Sequence, residues 1–331
     1  MAKSDNVISK EAVLSFDKKL EKVKKEVAKS VIGQDKAIEM ILTALIANGN
    51  ILLEGVPGIA KTLILRTISK VMGCKFSRIQ FTPDLLPTDI IGLTTYEKGR
   101  GFYVLKGPIF ANFVLADEIN RAPPKVQSAL LESMQEKQAT IGKETFPLPA
   151  PFFVLATQNP LENVGTYPLP EAQMDRFLFK LFISYPEIDE EMKILMNNIT
   201  IQTFEKITLN SILSPQEIID MQEAAKKIYV DERIQQYIVK IVDATRNPSR
   251  YNIKLGKYVQ WGASPRGSIG IYIASMANAM VNGKNFVTPE HVKDVAPHVL
   301  NHRIILNYEG ASENIDSFDV IDEILSKIPI P

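Results

Sequence analysis

The chain has 331 residues, 45 % of them hydrophobic, with 38 cationic and 38 acidic side chains. That length suits two domains at roughly 150 residues each, and the composition is that of a globular protein with a substantial core. A net charge of zero argues against a dedicated nucleic-acid binder, which gathers cations to neutralise phosphates. Nor does any segment approach the roughly 20 apolar residues that cross a bilayer. The opening MAKSDNVISK lacks an apolar signal core, so the expectation is a cytoplasmic protein without membrane insertion.

The first predicted element is a helix. Val13, Phe16, Leu20, Val23 and Val27 are spaced 3, 4, 3 and 4 apart, which places their side chains on one face at the helical period. The lysines between them would suit a lipid surface, but the interleaved glutamates and the narrow stripe predict packing on protein. Residues 1–30 are therefore set apart as an N-terminal amphipathic helix.

From Val31 to about Pro186, short β-rich runs alternate with helical stretches. The runs are Ile51–Leu53, Phe76–Gln80, Phe113–Ala116, Phe152–Thr157 and Phe177–Ile183. Helical patterns such as Lys36–Ala47, Thr62–Val71 and Pro124–Gln135 lie between them. Nearly continuous apolar strands separated by helices predict a parallel sheet covered on both faces. Cys74, the single cysteine, follows one of these helices and reads as a small apolar residue. Two stretches break the alternation: Leu93–Leu105, around Glu97-Lys98-Gly99-Arg100-Gly101, and Gln138–Leu148, around Gly142-Lys143. Both read as β-hairpins inserted into the α/β core, which is expected to span residues 31–187.

Beyond Pro186 the strand signals fade. Ser214-Pro215-Gln216-Glu217, Ser264-Pro265-Arg266 and Thr288-Pro289-Glu290 each pair a capping hydroxyl with proline at the first helical position. Residues 188–331 are expected to form a helical domain. His291, His298 and His302 fall here, but no third ligand accompanies the pair at 298 and 302, and no metal site is expected.

The strongest chemical signal is Gly55-Val56-Pro57-Gly58-Ile59-Ala60-Lys61-Thr62, between the apolar run Ile51–Leu53 and the helix Thr62–Val71. Strand, glycine-bearing loop and helix N-terminus together present backbone N–H groups and the positive helix end to an anion. Lys61 can reach the β- and γ-phosphates of a nucleotide and the Thr62 hydroxyl can ligate Mg²⁺. The pattern GxxxxGK[ST] has glycine where this chain has Ala60, so the loop works only if that position does not need φ > 0.

Phe113-Val114-Leu115-Ala116-Asp117-Glu118 is an apolar strand ending in two carboxylates, the arrangement of a Walker B element. Asp117 would hold the Mg²⁺ shell and Glu118 would orient and polarise the attacking water. Another strand, Phe152–Thr157, leads to Asn159, whose amide can contact both the γ-phosphate and that water. Arg176 begins the last core strand. Arg266 sits in the first turn of a helix, where the dipole disfavours a cation, and that cost points to a role such as pairing with a phosphate. The ordinary reading of either arginine is a surface salt bridge worth about 0–1 kcal/mol.

In this order the motifs resemble those of AAA+ ATPases, and in detail those of the MoxR family. The residues carrying the resemblance are Val31-Ile32-Gly33-Gln34, GVPGIAKT (where Ala60 is usual for the family), Gly107-Pro108-Ile109-Phe110, Ala116-Asp117-Glu118-Ile119-Asn120-Arg121-Ala122, Ala156-Thr157-Gln158-Asn159-Pro160 and Gly262-Ala263-Ser264-Pro265-Arg266. They span roughly residues 27–306. The resemblance implies an α/β fold: an AAA+ P-loop parallel-sheet core with inserted β-hairpins and a C-terminal all-helical lid. It implies ATP and Mg²⁺ as ligands, with Val31, Ile32, Gly55, Pro57, Gly58, Ile59, Ala60, Lys61, Thr62, Leu63 and Arg266 at the nucleotide and Thr62 and Asp117 at the metal. Glu118 and Asn159 (a sensor 1) would serve hydrolysis, Arg176 would be an arginine finger given to a neighbour, and Arg266 a sensor 2 coupling the lid to the nucleotide. It further implies a ring, usually a hexamer, with the hairpins on its surface or pore. Such proteins are chaperone-like remodellers that help mature or activate other proteins, often with a partner carrying a von Willebrand factor A-type domain.

Other readings remain open at this point. A nucleic-acid motor is kept alive by Lys98, Arg100 and Lys143 at the hairpin tips, but these few cations lack an aromatic stacking platform, so nucleic acid is an unlikely partner. A slow nucleotide switch is opposed by the intact Glu118. A magnesium-chelatase-like ATPase subunit shares the same core motifs.

Overall fold

The structure, a computed structural model, describes residues 7–55, 61–99, 101–159, 165–197 and 208–331. Its centre is a five-stranded parallel sheet of β1 (Ile51–Glu54), β2 (Phe76–Gln80), β5 (Phe113–Asp117), β8 (Phe153–Gln158) and β9 (Phe179–Phe182), in the order β2-β5-β8-β1-β9. Alternation along each strand divides the apolar residues between two cores. Ile51, Leu53, Phe113, Leu115, Phe153 and Leu155 enter one, while Leu52, Val114, Ala116, Val154 and Ala156 enter the other. Each fully buried Val, Leu, Ile or Phe side chain contributes about 1.5–3 kcal/mol, so both faces must be covered.

The first face is covered by α1 (Lys10–Val27), α2 (Asp35–Ile46), α3 (Lys61–Val71) and the C-terminal helices. α1 forms as its spacing predicts: Ser9 caps it, and Val13, Leu20, Val23 and Val27 are completely buried. It lies on protein, touching α2, α3 and one helix of the C-terminal region. The second face is covered by α4 (Pro87–Ile91) and α5 (Pro124–Glu136).

Both hairpins are present. β3 (Gly92–Glu97) pairs with β4 (Gly101–Lys106), and β6 (Gln138–Ile141) with β7 (Glu144–Pro147), each antiparallel. Arg100, at the first tip, lies outside the described residues. The base of that hairpin is pinched so closely that a Cβ on Gly92, at φ 104°, would meet the Leu105 carbonyl oxygen at 2.2 Å. Only glycine fits there. The blade carries exposed aromatics, with Tyr96 62 % and Phe102 79 % accessible.

The short α6 (Glu171–Met174) precedes β9, and after that strand come α7 (Ile188–Asn197), α8 (Pro215–Ala225), α9 (Glu232–Arg246), α10 (Pro265–Val281), α11 (Pro289–Leu300), α12 (Tyr308–Ser312) and α13 (Ser317–Lys327). The caps form as expected. Ser214 and Glu217 make a reciprocal capping box, and Ser264 Oγ accepts from the Arg266 amide; such caps are typically worth about 1 kcal/mol. This lid is helical with one addition, a two-stranded ribbon of β10 (Val259–Trp261) and β11 (Ile305–Leu306). Strands of three and two residues are too short to leave a period in the sequence. Among the described residues no helix is long and apolar enough to cross a membrane.

The lid docks on the core partly through its histidines. His298 packs edge-on against Phe179, with ring centroids 6.1 Å apart, and His302 Nε2 lies 3.2 Å from the Phe177 carbonyl oxygen. Burial, aided by nearby cations, pushes His298 down to about 4 and His302 well below its ordinary value. Both therefore stay neutral in the folded protein where unfolded histidine, near 6.5, would charge. Below about pH 6.5 the unfolded chain binds the protons that the folded one refuses, so their contribution is complete above that pH and falls as pH drops towards 4. Stability is therefore expected to be lower at pH 5 than at pH 7. Urea midpoints measured from pH 7 to pH 5 check this: a constant midpoint would mean that these histidines charge freely in the fold.

Candidate active site

In an open parallel sheet, ligands bind beyond the carboxyl ends of the strands, where loops and helix N-termini meet. Here that end gathers Gly55 after β1, Asp117 and Glu118 at the end of β5, Asn159 after β8, and Lys61, Thr62 and Leu63 in the first turn of α3. β8 lies between β5 and β1, so Asn159, only 6 % accessible, stands between the carboxylates and the phosphate loop. Pro57, Gly58, Ile59 and Ala60 lie outside the described residues. Val31 and Ile32 reach the same end. The adjoining Gln34 Nε2 donates to the Ser184 carbonyl oxygen at 3.4 Å, and Ile183 N–H donates to Glu54 O at 3.0 Å.

Lys61 Nζ donates to the Gly55 carbonyl oxygen, closing the loop from its two described ends. Its half-buried amine is pushed below its ordinary value by lost hydration, against the pull of Asp117, Glu118 and Glu54. A phosphate group would give that amine a closer counter-charge. The donor set therefore fits a nucleotide phosphate.

The carboxylates are built from strand register. β5 is flanked by β2 and β8, with Gln80 opposite Asp117 on one side and Thr157 one residue beyond the Ala116–Ala156 pair on the other. Thr157 Oγ1 donates to Asp117 Oδ1 at 2.7 Å and accepts from the Glu118 amide at 2.8 Å. That single hydroxyl holds both residues. Glu118 adopts φ 57°, ψ 51°, a left-handed conformation that costs a non-glycine residue on the order of 1–3 kcal/mol and recurs at functional sites. From there its carboxylate accepts from Gln80 Nε2 at 2.8 Å and pairs with Arg121 at 3.1 Å. Asp117 Oδ2 accepts from Arg78 Nε and Nη2 at 3.0 and 2.7 Å. A guanidinium thus stands beside the oxygen expected to face Mg²⁺, and Asp117 with the Thr62 hydroxyl is a hard-oxygen pair suited to that ion. Sequence reasoning missed Arg78 and Gln80 and gave Thr157 no role, because no spacing rule joins strands; only their pairing does. It also missed Arg121, although that residue lies only three positions from Glu118.

The two remaining arginines are elsewhere. Arg176 precedes β9, whose first residue Phe179 pairs with Ile51 at the start of β1, and Leu178 N–H donates to Asn50 O at 2.8 Å. Arg266 Nη1 lies 3.3 Å from Asp175 Oδ2. Both therefore sit at the amino ends of the strands, on a cavity of about 340 Å³ between core and lid that is also lined by Asn50, Leu178, Ile269 and Arg303. Among the described residues Arg266 thus pairs with Asp175 and not with the phosphate-loop ends Gly55, Lys61 and Thr62. The salt bridge foreseen as its ordinary reading forms, with Asp175. Arg176 is exposed and without an ion-pair partner among the described residues.

Comparison with known proteins agrees with this geometry. Residues 50–179 match the family model of the ATPases associated with various cellular activities (AAA), and residues 256–324 match the AAA lid domain. The chain is 47 % identical over 314 residues to Chaperone MoxR1 of Mycobacterium tuberculosis, covering 94 % of this chain and 82 % of the relative. It is 30 % identical over 323 residues to Protein MoxR of Methylorubrum extorquens, covering 93 % and 94 %. A crystal structure from Cytophaga hutchinsonii superposes with a TM-score of 0.90 at 45 % identity, covering 97 % of each chain.

Proposed function

The chain belongs to the MoxR family of AAA+ ATPases, and from that premise we propose that it is a chaperone-like remodeller that hydrolyses ATP at sites shared between copies of itself. The observation that carries this reading is the separation of the catalytic groups. Lys61, Thr62, Asp117, Glu118 and Asn159 occupy the carboxyl end of the sheet, and Arg176 and Arg266 the amino end. Four residues of strand alone put about 13 Å between the ends. Within one chain the arginines are out of reach of the phosphates. A head-to-tail neighbour brings its amino end against the carboxyl end of the next copy, and such a contact closes into a ring when the rotation allows. We take that ring to be a hexamer.

In the shared site Lys61 neutralises charge on the β- and γ-phosphates, and Thr62 and Asp117 would hold a Mg²⁺ ion, which would supply further charge neutralisation. Asn159 and Glu118 position the water, and Glu118 polarises it, which requires its carboxylate to leave Gln80 or Arg121. The neighbour's Arg176 and Arg266 then supply cations as charge develops on the transferred phosphoryl oxygens. The hairpin β3–β4, with Tyr96 and Phe102 exposed, offers an apolar edge for a protein client. A partner with a von Willebrand factor A-type domain and a cytoplasmic setting complete the reading. Turnover per chain is expected to fall steeply on dilution as copies separate. Constant specific activity in a preparation that sediments as monomer would overturn the shared site.

A further inference from the structure

The segment that carries Arg176 is gripped by a residue of the lid. Arg303, in the turn after α11, is buried, with its side chain 4 % accessible. Each of its five N–H groups has an acceptor. Nε donates to Asp175 Oδ1 at 2.7 Å; Nη2 donates to the carbonyl oxygens of Phe177 at 2.7 Å and Asp175 at 3.2 Å; and Nη1 donates to the Leu178 carbonyl oxygen at 3.2 Å and to that of Val299. Four of the five bonds thus end on residues 175, 177 and 178, around Arg176. The neighbouring Asn301 adds a bond from Nδ2 to the Lys180 carbonyl oxygen at 2.9 Å.

Asp175 is the second half of the arrangement. One carboxylate oxygen takes Arg303, and the other takes Ser264 Oγ at 3.1 Å and Arg266 Nη1 at 3.3 Å. One acidic side chain therefore connects the buried arginine, the cap of α10 and the exposed arginine on that helix. The fork geometry matters, because a planar guanidinium fixes several acceptors at once whereas an ammonium acts as a point charge.

We propose that Arg303 and Asp175 are positioning residues that hold Arg176 and Arg266 as one rigid pair for delivery to the nucleotide of a neighbouring copy. This rests on the reading that both arginines act on that neighbour's site. The clamp crosses from lid to core, so any movement of the lid carries the two arginines together. It touches none of the groups at the phosphate end of its own chain, which gives it a signature that a plain structural contact lacks. Loosening it damages the arginines that a copy gives and leaves its own nucleotide site intact.

The test uses Asp175→Asn and Arg303→Lys in the full chain. The second is the milder change, since it keeps a buried cation facing Asp175 while losing the fork. Both are expected to fold, to assemble, to bind a fluorescent ATP analogue as the wild type does, and to lose about 10- to 100-fold in kcat with KM little changed, the scale of a misplaced catalytic group. Mixed with Glu118→Gln protein, either variant should regain turnover, because the Glu118→Gln copies give intact arginines to copies with an intact Glu118. Mixed with Arg176→Ala protein it should regain none, because both then lack the same contribution. Wild-type kcat in folded variants, weakened ATP affinity, rescue by Arg176→Ala, or collapse of both folds would each overturn the assignment and leave a simple staple between lid and core. Failure of the shared site itself shows separately, as absence of rescue between Arg176→Ala and Glu118→Gln.

Discussion

Arg176→Ala is expected to bind ATP with the affinity of the wild type and to hydrolyse it about 10³–10⁵-fold more slowly, the range known for fingers supplied by a neighbouring subunit. The first half follows from position. Arg176 precedes β9 at the amino end of the sheet, whereas Lys61 and Asp117 lie at the carboxyl end, so the substitution leaves the chain's own phosphate contacts in place. The second half follows from charge. Lys61, in the first turn of α3, donates to the Gly55 carbonyl oxygen, and the two arginines at that end are paired with carboxylates, Arg78 with Asp117 and Arg121 with Glu118. The developing charge then depends on a cation from outside. Mixing Arg176→Ala with Glu118→Gln protein is the decisive measurement, because some interfaces in mixed rings pair an intact Glu118 with an intact Arg176. Equal mixtures should regain a substantial fraction of wild-type turnover. Mixtures no more active than their components would mean that Arg176 serves its own chain or no site at all.

Glu118→Gln is expected to slow turnover by about 10²–10⁴ while leaving ATP bound, since the amide keeps the shape of the side chain but cannot take charge from water. The local structure makes this a clean substitution. The left-handed backbone at Glu118 is tied by its amide bond to Thr157 Oγ1, which the substitution leaves in place, and the amide oxygen of glutamine can still accept from Gln80 Nε2. The carboxylate's contact with Arg121 is lost as an ion pair, but that pair is partly exposed and worth little. Single-turnover measurements with saturating ATP separate binding from chemistry. Hydrolysis at the wild-type rate would place the catalytic carboxylate elsewhere.

Much of the sheet was legible from the sequence. The five strands appear within two residues of the predicted runs, because an apolar run flanked by helical period is a local pattern. The largest shift is instructive. The run Phe177–Ile183 begins as a strand only at Phe179, since the carbonyl groups of Phe177 and Leu178 are taken by Arg303 and not by a neighbouring strand. Arg303 lies 126 residues away from Phe177, and nothing near Phe177 announces it. The candidate site divides in the same way. Lys61, Thr62, Asp117, Glu118 and Asn159 were found because each ends or begins an element whose local pattern is plain. Gln80 and Arg78 were not, because an ordinary β2 residue acquires its role only when β2 pairs with β5.

By itself the sequence determined what interactions within a few residues can determine. These are the amphipathic α1, the serine caps of α8 and α10, the two hairpins and the juxtaposition of a glycine-bearing loop with a helix N-terminus. Each depends on contacts at i+2, i+3 or i+4, or on a repeated apolar period. Tertiary structure alone decided which residues flank Asp117, where Arg266 points, and what holds Arg176. Thr157 reaches Glu118 across 39 residues, Arg266 reaches Asp175 across 91, and Arg303 reaches Asp175 across 128. Such contacts follow from strand order and from the docking of the lid on one face of the sheet. Both are set by burial of whole apolar faces, which fixes the placement of elements without marking the polar residues that placement brings together.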